Sequence, residues 1–182
     1  GGSAADDGRL LSDLLQGGAR QSAVLASRLA SMRMLNDMWA SGKIREALAQ
    51  LQRLDDLALA ADIVRSGALK DTRLDLECAT NLLSTLRALL DSSFEDYQRA
   101  SVAATSQLSH TFGPLIRSTR SVSPDQLGVN LSAEARVKRC DAAYAQFAAL
   151  APRLQQLAEG RSPLGRPAAD LLAQLKGQLD LR

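Results

Sequence analysis

The clearest hydrophobic pattern lies in the last third of the chain. Apolar residues there alternate at spacings of three and four, which is the period of one face of an α-helix. The pattern predicts a helix that is capped at Ser132 and packs on a neighbouring helix, with a bend where Pro152 interrupts it. The residues of this seam are Val137, Cys140, Tyr144, Phe147, Ala151 and Leu154.

The first third of the chain shows shorter stretches of the same periodicity, separated by residues that end helices. Asp6-Asp7 favours the start of a first helix, and Gly17-Gly18 favours its end. Ser41-Gly42 favours the end of a second helix, and Asp55-Asp56 supplies a cap for a fourth. The pattern therefore predicts helices at about 6–16, 19–40, 43–54 and 55–65.

The remaining pattern adds three further helices. Asp71-Thr72 is a candidate cap for a helix that reaches Leu90, and Ser92-Ser93 for a long helix that Pro114 kinks or ends. The polar stretch 118–130 and the Pro- and Gly-containing stretch 160–167 predict loops. A last helix follows from Ala168, with Leu172, Leu175 and Leu179 on one side.

Composition supports a chain made of helices. Leu and Ala contribute 33 and 30 of the 182 residues, whereas aromatic residues make up 3%. Because strands favour β-branched and aromatic residues, this balance predicts an all-α fold of seven to eight helices, either a bundle or a short α-solenoid. We expect residues 1–3 to be a cloning remnant, 4–160 a helical domain, and 161–182 a C-terminal helix of the same domain.

Charge and cysteine usage exclude several classes of function. The formal net charge is only +2, which is not that of a polycation, and few aromatic residues are present to stack on bases. We therefore do not expect nucleic acid as a partner. Because no apolar run approaches the ~18 residues that a membrane span needs, we do not expect a membrane either. Cys78 and Cys140 are far apart, so we interpret them as reduced, buried thiols in a cytosolic protein.

The chemistry needed for catalysis is sparse. His110 is the single histidine, and one histidine with two isolated cysteines does not supply the ligands of a zinc site. No phosphate-binding glycine loop is present either. His110 fits either a phosphotransfer site or a partly buried structural histidine near Pro114, and the sequence favours the structural role because no lysine lies a turn away. We expect no cofactor and no enzymatic activity.

Basic residues gather in two groups that fit a surface for an acidic partner, or alternatively ordinary solvated helix faces. Trp39, the single tryptophan, fits either a core anchor or an interface hot spot. The group near Trp39 contains Arg28, Arg33, Lys43 and Arg45, and the later group contains Arg117, Arg120, Arg136, Lys138 and Arg139.

Four segments, in this order along the chain, carry a family resemblance. They are LASRLASMRMLNDMWASGKIREAL at 25–48, DDLALAADIV at 55–64, FEDYQRASVAATSQLSHTFGPLI at 94–116 and GVNLSAEARVKRCDAAYAQF at 128–147. Together they resemble the conserved C-terminal domain of the katanin regulatory subunit, the subunit that carries WD repeats. Asn130 departs from the aspartate that the family pattern has at this place.

The resemblance implies a non-catalytic, all-helical adaptor. In that family the domain forms a heterodimer with the N-terminal three-helix domain of the katanin AAA ATPase subunit, and the pair contributes to microtubule binding. It also recruits spindle-pole and minus-end proteins of the ASPM and CAMSAP kinds. The implied location is the cytoplasm and the microtubule cytoskeleton, at centrosomes, spindle poles or basal bodies. A general α-solenoid scaffold with an unrelated partner is the alternative.

Overall fold

A computed structural model describes residues 3–70, 73–121 and 131–181 of the chain. Helix accounts for 87% of the structure, and the described residues contain no strand, so the expected all-α class is confirmed. The helices are α1 (Ser3–Ala40), α2 (Ile44–Leu54), α3 (Leu57–Arg65), α4 (Leu76–Asp91), α5 (Glu95–Arg120), α6 (Leu131–Glu159) and α7 (Gly165–Leu179). A short 3-10 turn, Ala68–Lys70, follows α3.

The first two predicted helices are one helix, because α1 continues through Gly17 and Gly18 for 38 residues. The predicted break was wrong. A glycine in a helix costs about 1 kcal/mol relative to alanine, which weakens a helix without forcing it to end. Neither glycine adopts the positive φ that marks a helix terminus, whereas Gly42 does, at 80°.

The end of α1 is a Schellman motif built on Gly42. The amide of Gly42 donates to the Trp39 carbonyl at 3.0 Å, and the amide of Lys43 donates to the Met38 carbonyl at 2.8 Å. This pair of bonds needs the left-handed conformation that glycine adopts without strain. The motif turns the chain directly into α2 and fixes Trp39 at the junction.

Aspartates cap α3 and α4, but only one cap is the predicted one. The Asp56 carboxylate accepts from the amides of Ala58 and Leu59 at the start of α3, as expected. For α4 the cap is Asp75, which accepts from the Cys78 amide at 2.8 Å. Residues 71 and 72, the predicted cap, lie outside the described residues, and α4 begins later than the sequence indicated.

Neither internal proline ends its helix. Pro114 lies inside α5 and Pro152 inside α6, and both helices continue beyond them. A helix-interior proline costs roughly 3 kcal/mol, but α5 and α6 each pack against α4 and α7 and against each other. The burial of these apolar faces outweighs the local cost.

The observed starts of α5 and α6 differ by a few residues from the predicted ones. Ser92 lies just outside α5, where its hydroxyl accepts from the Phe94 amide at 3.2 Å, and Phe94 occupies the cap position itself. Helix α6 begins at Leu131, so Ser132 lies within its first turn. Of the predicted loop 118–130, residues 118–120 belong to α5, and residues 122–130 lie outside the described residues.

Helix α4 lies at the centre of the core. It packs against α2, α3, α5 and α6. Its leucines are almost completely removed from water, with Leu83, Leu86 and Leu89 each 0% exposed. Ser101 of α5 closes this contact by donating its hydroxyl to the Leu86 carbonyl.

The seam predicted on α6 is confirmed at Cys140, Phe147 and Leu154, which are each 0% exposed. Val137, Tyr144 and Ala151 are only partly buried. The reason is that α6 packs against three helices, so its buried face is wider than a two-helix seam. Ala143, Leu150 and Leu157 complete that face.

Arg45 ties α2 to the start of α4. Its guanidinium lies 2.5 Å from an Asp75 oxygen and 3.1 Å from a Glu77 oxygen. Partial burial by itself raises the pKa of the Asp75 carboxyl, but hydrogen bonds from Arg45 and the Cys78 amide lower it to about 2. Since the pair is largely exposed, solvent screening keeps its contribution to the stability of the fold small.

Arg45→Gln should lower the free energy of unfolding at neutral pH only slightly, because solvent screens this exposed ion pair. Because the Asp75 pKa is lower folded than unfolded, this stabilisation is present above about pH 4 and declines as the pH falls toward 2. Urea unfolding at several pH values measures it, with Arg53→Gln, an exposed arginine of the same helix, as the control. An Arg45→Gln loss that stays constant with pH would contradict this assignment.

Candidate protein-interaction surfaces

Two arginines of the first predicted basic group serve the fold. The Arg28 guanidinium lies 3.0 Å from Asp56, which joins α1 to the start of α3. Burial by itself raises the pKa of the Asp56 carboxyl. Hydrogen bonds from the α3 amides and from Arg28 lower this pKa by more, so the net shift is downward. Arg45 bridges α2 and α4 as described. Both charges are therefore already compensated within the chain.

Arg33 and Lys43, the other two members of this group, are exposed. No acidic group within ion-pair distance of either is found among the residues that the structure describes. Lys43 stands at the turn between α1 and α2, and Arg33 lies on α1 at the edge of an apolar groove. Their charges are available to a partner.

Trp39 forms part of the wall of that groove. The groove has a volume of about 600 Å³ and runs between the C-terminal part of α1, α3 and the 3-10 turn. Its apolar wall is made of Leu29, Met32, Leu35, Trp39 and Ile63, and Arg33, Asp62 and Lys70 lie among its other lining residues. Trp39 also packs against the core, so one side chain serves both as an anchor and as an exposed wall.

The part of α1 that precedes the groove has no packing partner in the described chain. Every residue from Ser12 to Ser27 is exposed, since α1 packs on α2 and α3 only near its C-terminal end. Leu14, Leu15 and Leu25 are 74%, 69% and 62% exposed. Apolar side chains presented this way along one helix make α1 a candidate interaction site.

Six exposed positions of α1 follow a heptad spacing that leads into the groove. We call them the α1 stripe: Gly8, Leu15, Gly18, Ser22, Leu25 and Leu29. Sequence reasoning missed this stripe because the predicted break at Gly17-Gly18 divided it. The signal was present in the alternating spacing of three and four from Leu15 to Leu29.

The later basic group divides into compensated and free charges. Arg120 lies 2.9 Å from Asp141 and stacks over the Tyr144 ring at 3.4 Å from its centroid. Arg117 lies 3.5 Å from Asp180 and donates to the Gly177 carbonyl at 3.2 Å. These two arginines hold the C-terminal end of α5 against α6 and α7, beside a cavity of about 470 Å³.

Arg136, Lys138 and Arg139 form the free part of that group, and we call them the α6 basic segment. All three side chains are exposed on the first turns of α6. Among the described residues we find no ion pair to any of them. Their closeness in sequence places three uncompensated positive charges on one short stretch of helix.

The remaining candidate groups take part in local contacts. His110 is exposed, not partly buried as expected, and its Nδ1 lies 3.0 Å from the Gln178 amide nitrogen. Cys78 and Cys140 are free and buried, as expected, and burial raises the pKa of Cys78 to about 11.

In the described ranges no group of three or more His, Cys, Asp or Glu residues could hold a metal ion. No described helix is long and apolar enough to cross a membrane.

Comparison with known proteins identifies relatives over most of the chain. The Danio rerio katanin p80 WD40 repeat-containing subunit B1 is 27% identical over 157 residues, which cover 86% of this chain and 22% of that protein. The Xenopus tropicalis subunit of the same name is 23% identical over 171 residues, covering 94% and 26%. An Arabidopsis thaliana homolog of the subunit is 28% identical over 166 residues, covering 91% and 14%.

This chain therefore spans about a quarter or less of the curated relatives it matches. The protein family described as "con80 domain of Katanin" matches this chain over residues 16–175. Residues 16–175 contain the groove, the α6 basic segment and the α1 stripe from Gly18 to Leu29, but not Gly8 and Leu15. The chain belongs to the con80 family, the domain of katanin regulatory subunits.

Proposed function

We propose that this chain is an adaptor that binds the N-terminal helical domain of the katanin ATPase subunit through α1 and supports microtubule binding through α6. Family membership supplies the class of partner. The exposed apolar surface of α1 is the observation that carries the assignment of the first surface. The uncompensated charges of the α6 basic segment carry the second.

A helical partner domain suits the surface that α1 presents. The α1 stripe ends at Leu29, which is 48% exposed and also lines the groove beside Trp39. A partner helix lying along α1 would cover the stripe and insert apolar side chains between α1 and α3. Trp39 would then act as a central aromatic anchor, with Arg33 and Lys70 at the polar rim.

Leu29→Glu should weaken binding of the ATPase subunit's N-terminal domain by at least tenfold, because it places a charge in the apolar contact. Isothermal titration calorimetry measures the affinity, and light scattering after size exclusion should give a 1:1 wild-type complex. Leu115→Glu is the matched control, since Leu115 is 43% exposed on α5, away from the groove.

Both substitutions are at exposed positions, so circular dichroism should show the same helicity as the wild type. Wild-type chain that forms no complex would overturn the proposed partner. A complex that Leu29→Glu and Leu115→Glu weaken equally would overturn the proposed surface.

The α6 basic segment suits the acidic surface of a microtubule. Its three charges lie on α6, which packs on α4, α5 and α7, so a lattice contact there leaves α1 accessible to its own partner. Attraction between exposed charges is screened over about 8–10 Å at physiological salt, so binding through this segment depends strongly on ionic strength. Arg117 and Arg120 contribute less, because Asp180 and Asp141 already neutralise them.

Replacing Arg136, Lys138 and Arg139 together with Ala should reduce microtubule affinity about tenfold at low salt. Each exposed charge contact contributes about 0.2–1 kcal/mol, and three of them sum to this order. The salt dependence of binding should flatten as well. Co-sedimentation with polymerised tubulin over a range of salt concentrations measures both effects.

The control for this triple variant has the same composition and charge change. It replaces three exposed residues near or on α7 with Ala: Arg161, Arg166 and Lys176. No ion pair to any of them is found among the described residues. This control variant should bind microtubules within about twofold of the wild type. An equal loss in both triple variants would show that net charge, not the α6 basic segment, determines binding.

The family assignment extends the proposal to targeting. With the ATPase subunit bound at α1, the pair would direct microtubule severing to sites marked by spindle-pole or minus-end proteins of the ASPM and CAMSAP kinds. ATP hydrolysis would belong to the other chain. The corresponding locations are the cytoplasmic microtubules, centrosomes, spindle poles or basal bodies.

A further inference from the structure

We propose that two copies of this chain pair through the exposed part of α1 in an antiparallel arrangement. In this arrangement Leu15 of each copy lies opposite Gly18 of the other, and Leu25 lies opposite Gly8. The occupant of the α1 stripe in the absence of another protein is therefore a second copy of the same stripe. This self-pairing goes beyond the proposed function, and it does not require the ATPase subunit.

Size complementarity within the stripe favours one register. Residues 15 and 18 have the same midpoint in sequence as residues 8 and 25, so a single two-fold axis between residues 16 and 17 satisfies both pairings. In each pairing a leucine that is more than 60% exposed meets a glycine. A side chain at Gly8 or Gly18 would meet nothing within 4 Å in the chain itself, so each glycine leaves an open recess.

The charges along α1 favour the antiparallel direction. Residues 3–17 carry a net charge of −2, from Asp6, Asp7 and Asp13 against Arg9. Residues 18–30, which lie opposite residues 3–15 of the other copy in this register, carry Arg20 and Arg28, although Asp56 already compensates the charge of Arg28. Antiparallel pairing places acidic halves beside basic halves, whereas parallel pairing places like charges together.

The position of the folded body gives a second argument for the same direction. Helix α1 packs on α2 and α3 only near its C-terminal end. In an antiparallel pair the two bodies lie at opposite ends of the seam and do not compete for space. In a parallel pair they would meet at the same end.

The seam is short, so the pair should be weak and reversible. Eighteen residues of helix, from Gly8 to Leu25, span about 27 Å. We expect a helix contact of that length to bury less than the roughly 800 Å² per partner that a stable complex buries. Reversible pairing leaves the stripe available to a partner that binds it more tightly.

Sedimentation velocity over a wide range of concentrations tests the proposal with the chain alone. The wild type should shift from monomer to dimer as concentration rises. Gly18→Leu should remain monomeric, because it fills the recess that receives Leu15, while circular dichroism shows equal or higher helicity, since leucine favours helix more than glycine. Leu115→Glu, on α5, should dimerise like the wild type.

Cysteine cross-linking tests the register. A mixture of Leu15→Cys and Gly18→Cys chains should form a disulfide between the two variants, because the native Cys78 and Cys140 are buried. A wild type that stays monomeric, or a dimer that survives Gly18→Leu, would overturn the self-pairing. Cross-linking of Leu15→Cys only with itself would overturn the antiparallel register.

Discussion

Burial of α4 is the constraint on which the rest of the structure depends. Helix α4 packs against α2, α3, α5 and α6, and several of its leucines are 0% exposed. Every other described helix except α1 and α7 packs directly on α4. Because this core is saturated with apolar contacts within the chain, it leaves no apolar face of α4 for a partner. Surfaces for other proteins must therefore come from the helices at the periphery.

Helix α1 has the opposite character. Its C-terminal turns are fixed by the Schellman motif at Gly42, by the Arg28–Asp56 ion pair and by the packing of Trp39. Its preceding turns expose leucines to water and contain Gly17 and Gly18, each of which weakens a helix by about 1 kcal/mol. A long helix of this composition gains most of its stability from packing, which the described chain does not supply. The account therefore assigns that packing to a second protein chain.

How much the sequence could predict follows from which interactions are local. Helix periodicity predicted the all-α class, the cap at Asp56 and the buried centre of α6, because these depend on residues close in sequence. The predicted break at Gly17-Gly18 was wrong, because glycine weakens a helix without ending it. Pro114 does not end its helix, and the predicted bends at Pro114 and Pro152 stay predictions. The basic residues were identified from sequence, but their division into paired and free charges depends on tertiary contacts such as Arg120 with Asp141. Their role in binding stays a prediction.

The central claim is that a partner chain covers and stabilises the exposed turns of α1. Amide hydrogen exchange of residues 12–27 measures this most directly, first with the chain alone at low concentration and then with the N-terminal domain of a katanin ATPase subunit. The account predicts rapid exchange in the free chain and strong protection in the complex, while the α4 amides stay protected in both. Exchange in residues 12–27 that the partner domain leaves unchanged would contradict it.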